Sequence, residues 1–263
     1  QIPGIKVNGV RVFEQYSAKP QNSALTKATY AGTGNLTFHN GSMLPTVKLY
    51  PIFWGASFPS SGTRTYKGDV TSFLSNIQCS ASTGPTCSGL NGLIAQYMRG
   101  ASVNIQLGAT YTDTSNPPTS APSTSTIVAE AQKVVSATSG ATLDPTGLYI
   151  VFTNNFPSRA GYCGYHGAGS ATVRGSTKSI AVAYLPNPAT TSGCSAAYLG
   201  STYRQNSNVS GVDSVINITS HEIYEAMTDS IQSGNAWYDA SGNEIGDRSE
   251  EHTSELQSRV DIS

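Results

Sequence analysis

Between Ser220 and Asp247 the chain reads SHEIYEAMTDSIQSGNAWYDASGNEIGD, and imidazole and carboxylate groups recur there in a protein whose charged residues amount to only 12%. On a helix, side chains four residues apart project from one face, so His221 and Glu225 can reach a single ion, with Glu222 beside them. A divalent ion held this way makes its bound water acidic, and Glu222 is placed to take the proton as general base. One imidazole and one carboxylate leave the ion short of protein ligands. Glu244, 23 residues after His221, is the local candidate for the third, and Asp247 either orients His221 through a hydrogen bond or coordinates in its own right.

The spacing is a variant of the HExxH helix of zinc peptidases, in which two imidazoles bind zinc and the intervening Glu polarises its water. Glu225 stands where that helix has its second His, and zinc accepts a carboxylate too. The Asn243-Glu244 pair resembles the thermolysin-like gluzincins, whose downstream Asn-Glu segment gives the third ligand and whose nearby Asp, one residue further along than Asp247, holds the ligand His. One His and two carboxylates cancel the charge of a divalent ion, so it is a weaker Lewis acid than a site with two His, and activity at neutral pH leans harder on Glu222. The expected cofactor is zinc, with manganese or calcium as the harder alternatives that carboxylates favour. The plain alternative is a chance HExxE with a salt-linked His and no ion.

Other residues carry weaker signals. Asp229 is either a further ligand or a surface or calcium-binding carboxylate near a helix end. His166, in YCGYHG, reads as a structural His, with a reserve role as ligand or donor. Trp237 and Tyr238 read as core or cleft wall, and His39 sits in a turn with no assigned role.

To present His221 and Glu225 together, their segment must be helical, and Val212, Val215, Ile216, Ile223 and Met227 have helical spacing with a polar face through both residues. Upstream, TVKLYPIFWG reads as a buried strand that Pro51 bends or confines to an edge. GDVTSFLSNI and SGLNGLIAQYM read as helices, ASVNIQLGATYTD as one strand, IVAEAQKVVSAT as an amphipathic helix, and GLYIVFTN and KSIAVAYLP as strands. Residues 114–126, rich in Pro, Ser and Thr, are expected to be a surface insertion, a domain linker being the alternative. Strand-helix-strand alternation predicts an α/β fold: a single domain, residues 46–247, with a mixed central sheet flanked by helices and a zincin-like active-site helix, preceded by an N-terminal arm or hairpin over 1–45.

A net charge of -1 and a pI near 6.5 provide no field for nucleic acid or anionic membrane, and neither is expected as a partner. No apolar run reaches bilayer length. A start at Gln1 is expected of a mature chain that has lost a signal peptide, or of an arbitrary boundary. Four cysteines predict two disulfides. Sequence leaves three pairings open; Cys79–Cys87 closes a short loop and is favoured, leaving Cys163–Cys194. Sequons at Asn35, Asn40, Asn208 and Asn217 fit a secreted glycoprotein. The expected substrate is a peptide or a cell-wall polymer.

After Asp247 the composition changes abruptly. Arg248 to Ser258 matches the translation of a widely used sequencing adapter over eleven consecutive residues, so 248–263 is read as an artefactual tail, His252 is not counted as a ligand, and the natural chain is expected to continue beyond Asp247.

Taken together, YPIFWG, GLYIVFTN, YCGYHG and the run from Ser220 to Asp247 resemble the EXORDIUM or phosphate-induced protein family of plants, and more closely its secreted fungal and bacterial relatives. The resemblance covers roughly Thr46 to Asp247 and implies an extracellular role in the cell wall or medium without a settled reaction. In those relatives EIGD runs on to a Cys, which would offer Cys163 or Cys194 another partner. A rival function implied at this stage is a non-catalytic, metal-stabilised cell-wall or carbohydrate-binding protein using Trp54, Trp237 and Tyr238.

Overall fold

The structure, a computed structural model, describes residues 35–80, 86–189, 191–195 and 208–249, together with the backbone of three short strands nearer the N-terminus. Those three are β1 (Ile5–Val7), β2 (Val10–Val12) and β3 (Glu14–Ala18). β1 and β2 form an antiparallel hairpin within the segment expected to be an arm or hairpin. Residues 250–263, the greater part of the adapter-like tail, lie outside the described residues.

Next come β4 (Thr37–Phe38), β5 (Thr46–Trp54) and a minimal hairpin of β6 (Ser60–Ser61) and β7 (Arg64–Thr65). Helix α1 (Tyr66–Asn76) starts where the Thr65 hydroxyl accepts the Gly68 amide at 3.0 Å, satisfying one orphan donor of the first turn. β8 (Cys79–Ser80) precedes α2 (Gly89–Leu93), which tightens into a 3-10 turn at Ile94–Tyr97. The helix expected there is thus only one α-turn, in keeping with the low helix propensity of Gly89 and Gly92.

β9 (Asn104–Leu107) and β10 (Tyr111–Asp113) stand where one strand was expected. Both run parallel to β5, the first ending at the Leu49–Leu107 pair and the second beginning at Ile52–Tyr111. Pro51 falls in this gap. β5 is therefore an inner strand, not an edge, and its proline sits where one neighbour has stopped and the next has not begun.

The Pro/Ser/Thr-rich loop ends at Ser123, whose side chain caps α3 (Thr124–Ala137) by accepting the Thr126 amide. β11 (Gly147–Thr153), β12 (Tyr162–Val173) and β13 (Ser176–Pro186) follow, then α4 (Val212–Thr228), β14 (Trp237–Tyr238) and α5 (Ile245–Ser249). The main sheet is mixed, in the order β3-β12-β13-β11-β5-β9-β8, with β10 continuing alongside β5. β11 is buried along its whole length between parallel neighbours, which is why it reads as an unbroken apolar run.

Successive β11 side chains serve two cores. Leu148, Ile150 and Phe152 pack with Val70 and Leu74 of α1 and Val215, Ile223 and Met227 of α4. Tyr149 and Val151 pack with Ile127, Ala131 and Val134 of α3 on the opposite face. The result is the expected single α/β domain, with helices on both faces of a mixed sheet. Cys79 is bonded to Cys87 and Cys163 to Cys194, the favoured pairing. No described helix is long and apolar enough to cross a membrane.

Candidate metal centre

α4 is buried on nearly every side, including its polar residues: Glu222 and Thr219 are fully buried and Glu225 is 1% exposed. A buried helix surface carrying carboxylates needs partners, and β12 supplies one. Gly164 lets the helix lie close, since a Cβ there would stand 2.7 Å from Ile218 Cγ2. Two residues along the strand and one helical turn along α4, His166 meets Glu222, its Nδ1 3.2 Å from Oε2. The same nitrogen lies 3.5 Å from Glu225 Oε2, and Nε2 lies 3.5 Å from Glu244 Oε2. Nε2 is also 3.1 Å from the Asp229 carbonyl. A carbonyl only accepts, so Nε2 carries a proton, and Nδ1 is the nitrogen left to bind an ion when the ring is neutral. A ligand His typically has its other N–H anchored in this way.

His221 faces the other oxygen of Glu225, with Nε2 3.0 Å from Oε1 and 3.8 Å from Asp247 Oδ1. Despite that proximity, His221 Nε2 makes no hydrogen bond of acceptable geometry. The loop after β14 closes the cluster. Asp239 ties it by accepting the Ser241 and Asn243 amides. The Asp247 carboxylate then accepts the Glu244 amide at 3.1 Å, while the Asp247 amide donates to Glu225 Oε1 at 3.2 Å. Gly246 allows this contact, because a Cβ would lie 2.7 Å from Glu225 Oε1 and 2.8 Å from the His221 ring.

The electrostatics of the cluster are those of a site short of positive charge. Glu244 is fully buried, neither of its oxygens has a hydrogen-bond partner, and it stands among Glu225, Asp229 and Asp247 with His166 as its compensating charge. Burial and those carboxylates push its acid well above the usual range despite the imidazole. Burial likewise raises Asp229 to about 6, with His166 and the nearby Ala236 and Ile231 amides opposing the shift. For the imidazoles burial works against charge, but the acids win: Glu244, Glu222 and Glu225 hold His166 well above its ordinary value, and Glu225, Glu222 and Asp247 lift His221 to about 10. Burial raises Glu225 too, but the two imidazoles outweigh it and hold it low. An unpaired buried ion costs several kcal/mol, against roughly 5–15 kcal/mol holding a whole domain together, so protons or a cation must neutralise this cluster.

Two sets of donor atoms come within 4.8 Å of one another: His166, Glu225 and Glu244, all buried, and His221, Glu225 and Asp247, which is partly open. Donors about 2.0–2.2 Å from a tetrahedral ion lie roughly 3.3–3.6 Å apart; the 3.5 Å from His166 Nδ1 to Glu225 Oε2 matches this, whereas the 3.5 Å to Glu244 Oε2 is measured from Nε2, the nitrogen that carries the proton. Of the residues expected from sequence, His221, Glu225 and Asp247 come together. Glu244 joins the cluster but through His166 and not through His221. Glu222 is beside His166 and belongs to neither set. Asp229 is fully buried, not a surface group, and its carbonyl anchors His166.

His166 takes a larger place than its sequence suggested. Its one visible sign was a polar residue in an otherwise small and aromatic stretch. Trp54 is a core residue of β5, and Trp237 is half-buried, donating to the Tyr97 carbonyl at 2.7 Å. Tyr238 is half-buried and stacked on His39, which thereby acquires a partner. Of the sequons, Asn35, Asn40 and Asn208 are exposed, whereas Asn217 lies within α4 beside the buried Thr219. Compared with known protein families, with characterised proteins and with solved structures, the chain finds no match.

Proposed function

We propose that the protein is a secreted metal-dependent hydrolase of the zinc peptidase kind, acting on a peptide or a cell-wall polymer. The observation that carries this reading is Glu244: a fully buried carboxylate without a hydrogen bond of acceptable geometry, 3.5 Å from His166 in a cluster of imidazoles and acids. The donor set suits zinc or manganese. A bound ion would supply Lewis acidity to water and to the scissile carbonyl. His166 and His221 contribute neutral nitrogens, Glu225, Glu244 and Asp247 contribute oxygens, and the Asp229 carbonyl fixes the His166 tautomer. Glu222, a member of neither donor set, remains to accept a proton. Water and substrate reach the cluster from the side of His221 and Asp247, whose side chains are 11% and 26% exposed.

Secretion is supported by the two disulfides, by three exposed sequons and by the likeness to EXORDIUM-related proteins. Metal analysis of natively purified protein should find zinc or manganese, reduced in His221→Ala. Glu222→Gln should keep the metal and lose turnover by about 100-fold or more, in line with loss of a general base. Full metal occupancy in His221→Ala, or unchanged turnover in Glu222→Gln, would overturn the respective assignments.

A second reading is a non-catalytic cell-wall or carbohydrate-binding protein whose ion stabilises the fold. The closed burial of His166, Glu225 and Glu244 favours it. Its aromatic surface would rest on Trp237 and Tyr238 without Trp54. Such a protein has no turnover for Glu222→Gln to remove.

A further inference from the structure

We infer that the centre is dinuclear, with Glu225 as a carboxylate bridge between two divalent cations. The inference rests on the metal reading above and concerns how many ions the site takes and what joins them.

The two oxygens of Glu225 face different partners. Oε2 lies toward His166, 3.5 Å from Nδ1, and Oε1 lies toward His221, 3.0 Å from Nε2. Each imidazole shares its donor set with a second carboxylate of its own, Glu244 for His166 and Asp247 for His221. Among the described residues, no donor set within 4.8 Å contains both imidazoles. Two ligands of one ion, each about 2.0–2.2 Å from it, can stand at most roughly 4.4 Å apart even when opposite each other. The imidazoles thus belong to separate donor sets, yet both sets contain Glu225.

Charge points the same way. Glu222, Glu225, Asp229, Glu244 and Asp247 surround the two rings, which are neutral when they bind metal. One divalent ion would leave most of that negative charge uncompensated in a buried volume; two bring it near neutrality. Each position has a buried atom without a hydrogen bond of acceptable geometry: the Glu244 oxygens on one side and His221 Nε2 on the other. Metal pairs joined in this way sit about 3.5–4 Å apart in hydrolytic enzymes, where they hold the attacking and leaving oxygens between them. The position beside His221 and Asp247 is the more open of the two and is the one a substrate oxygen would meet first.

The test is a Mn2+ titration of chelator-stripped full-length protein, read by electron paramagnetic resonance and by native mass spectrometry. The expected result is two ions per chain with a spin-coupled signal, and one uncoupled ion in Asp247→Asn. That variant changes a partly exposed side chain, and its fold is checked by circular dichroism. His166→Ala should lose the other ion. One ion at saturation, or two without coupling, overturns the bridge and leaves the metal reading standing. Two ions retained in Asp247→Asn overturn the assignment of the open position. No bound ion overturns both the bridge and the hydrolase.

Discussion

At the scale of single residues, the molecule turns on clustered carboxylates that are buried with few hydrogen-bond donors. Glu244 is the extreme case, and its replacement should have opposite effects in two conditions. Glu244→Gln replaces an acid that must take up a proton to be buried without metal, so chelator-treated protein should melt at a higher temperature than the parent at neutral pH. With metal present the order should reverse, because the variant forfeits linkage worth about 3 to 4 kcal/mol at ion concentrations roughly 100- to 1,000-fold above Kd. Paired melting curves with and without chelator check both halves.

A second buried acid, on the other face of the sheet, provides a pH test remote from the centre. Glu130 of α3 is 3% exposed, one of its oxygens is unpartnered, and burial with the adjacent Asp113 lifts its acid to about 7 despite Lys133. A carboxyl whose folded value lies above its unfolded value stabilises most when protonated. Its contribution is complete below about 4.5 and is lost as pH rises through 7. Glu130→Gln mimics the protonated form and should therefore melt like the parent at pH 4 and above it at pH 8.

At the scale of elements, the site exists because α4 lies close against β12. Gly164→Ala would put a methyl group 2.7 Å from Ile218 Cγ2. Strain of this kind costs about 1–3 kcal/mol. The helix should move off the strand, carrying Glu222 and Glu225 away from His166. Metal affinity should fall at least tenfold while the far-ultraviolet spectrum stays that of the parent, as a competition titration with a chromophoric chelator would report.

The same contact marks the limit of what the sequence discloses. The His221–Glu225 pair was legible because its spacing is a property of one helix, and β11 and β13 were legible as continuous apolar runs. β12 was not, because Gly164, Gly167, Gly169 and Ser170 interrupt its alternation. The meeting of His166 with Glu222 spans 56 positions and depends on sheet order, which no local pattern carries. The pairing of Glu244 with His166 was hidden for the same reason: the loop's return, not its spacing from His221, decides which imidazole it meets.

At the scale of the whole molecule, three layers and two disulfides fix the frame around this contact. The Cys163–Cys194 bond spans 31 positions and sits three residues before His166, tying the end of β12 to the segment that follows β13. Loop-closure entropy assigns a bridge of that span about 3 to 4 kcal/mol. Cys163→Ala with Cys194→Ala should lower the melting temperature by several degrees and weaken metal binding as well, whereas removal of Cys79 and Cys87, on the far edge of the sheet, should spare metal affinity. Isothermal titration of the two double variants separates these outcomes.

The most direct test of the central claim is an anomalous difference map collected at the zinc edge from crystals grown without chelator. The account predicts a peak within about 2.0–2.2 Å of oxygens from both Glu225 and Glu244. A map without a peak there, with the Glu244 carboxyl instead hydrogen-bonded to an ordered water, would contradict it.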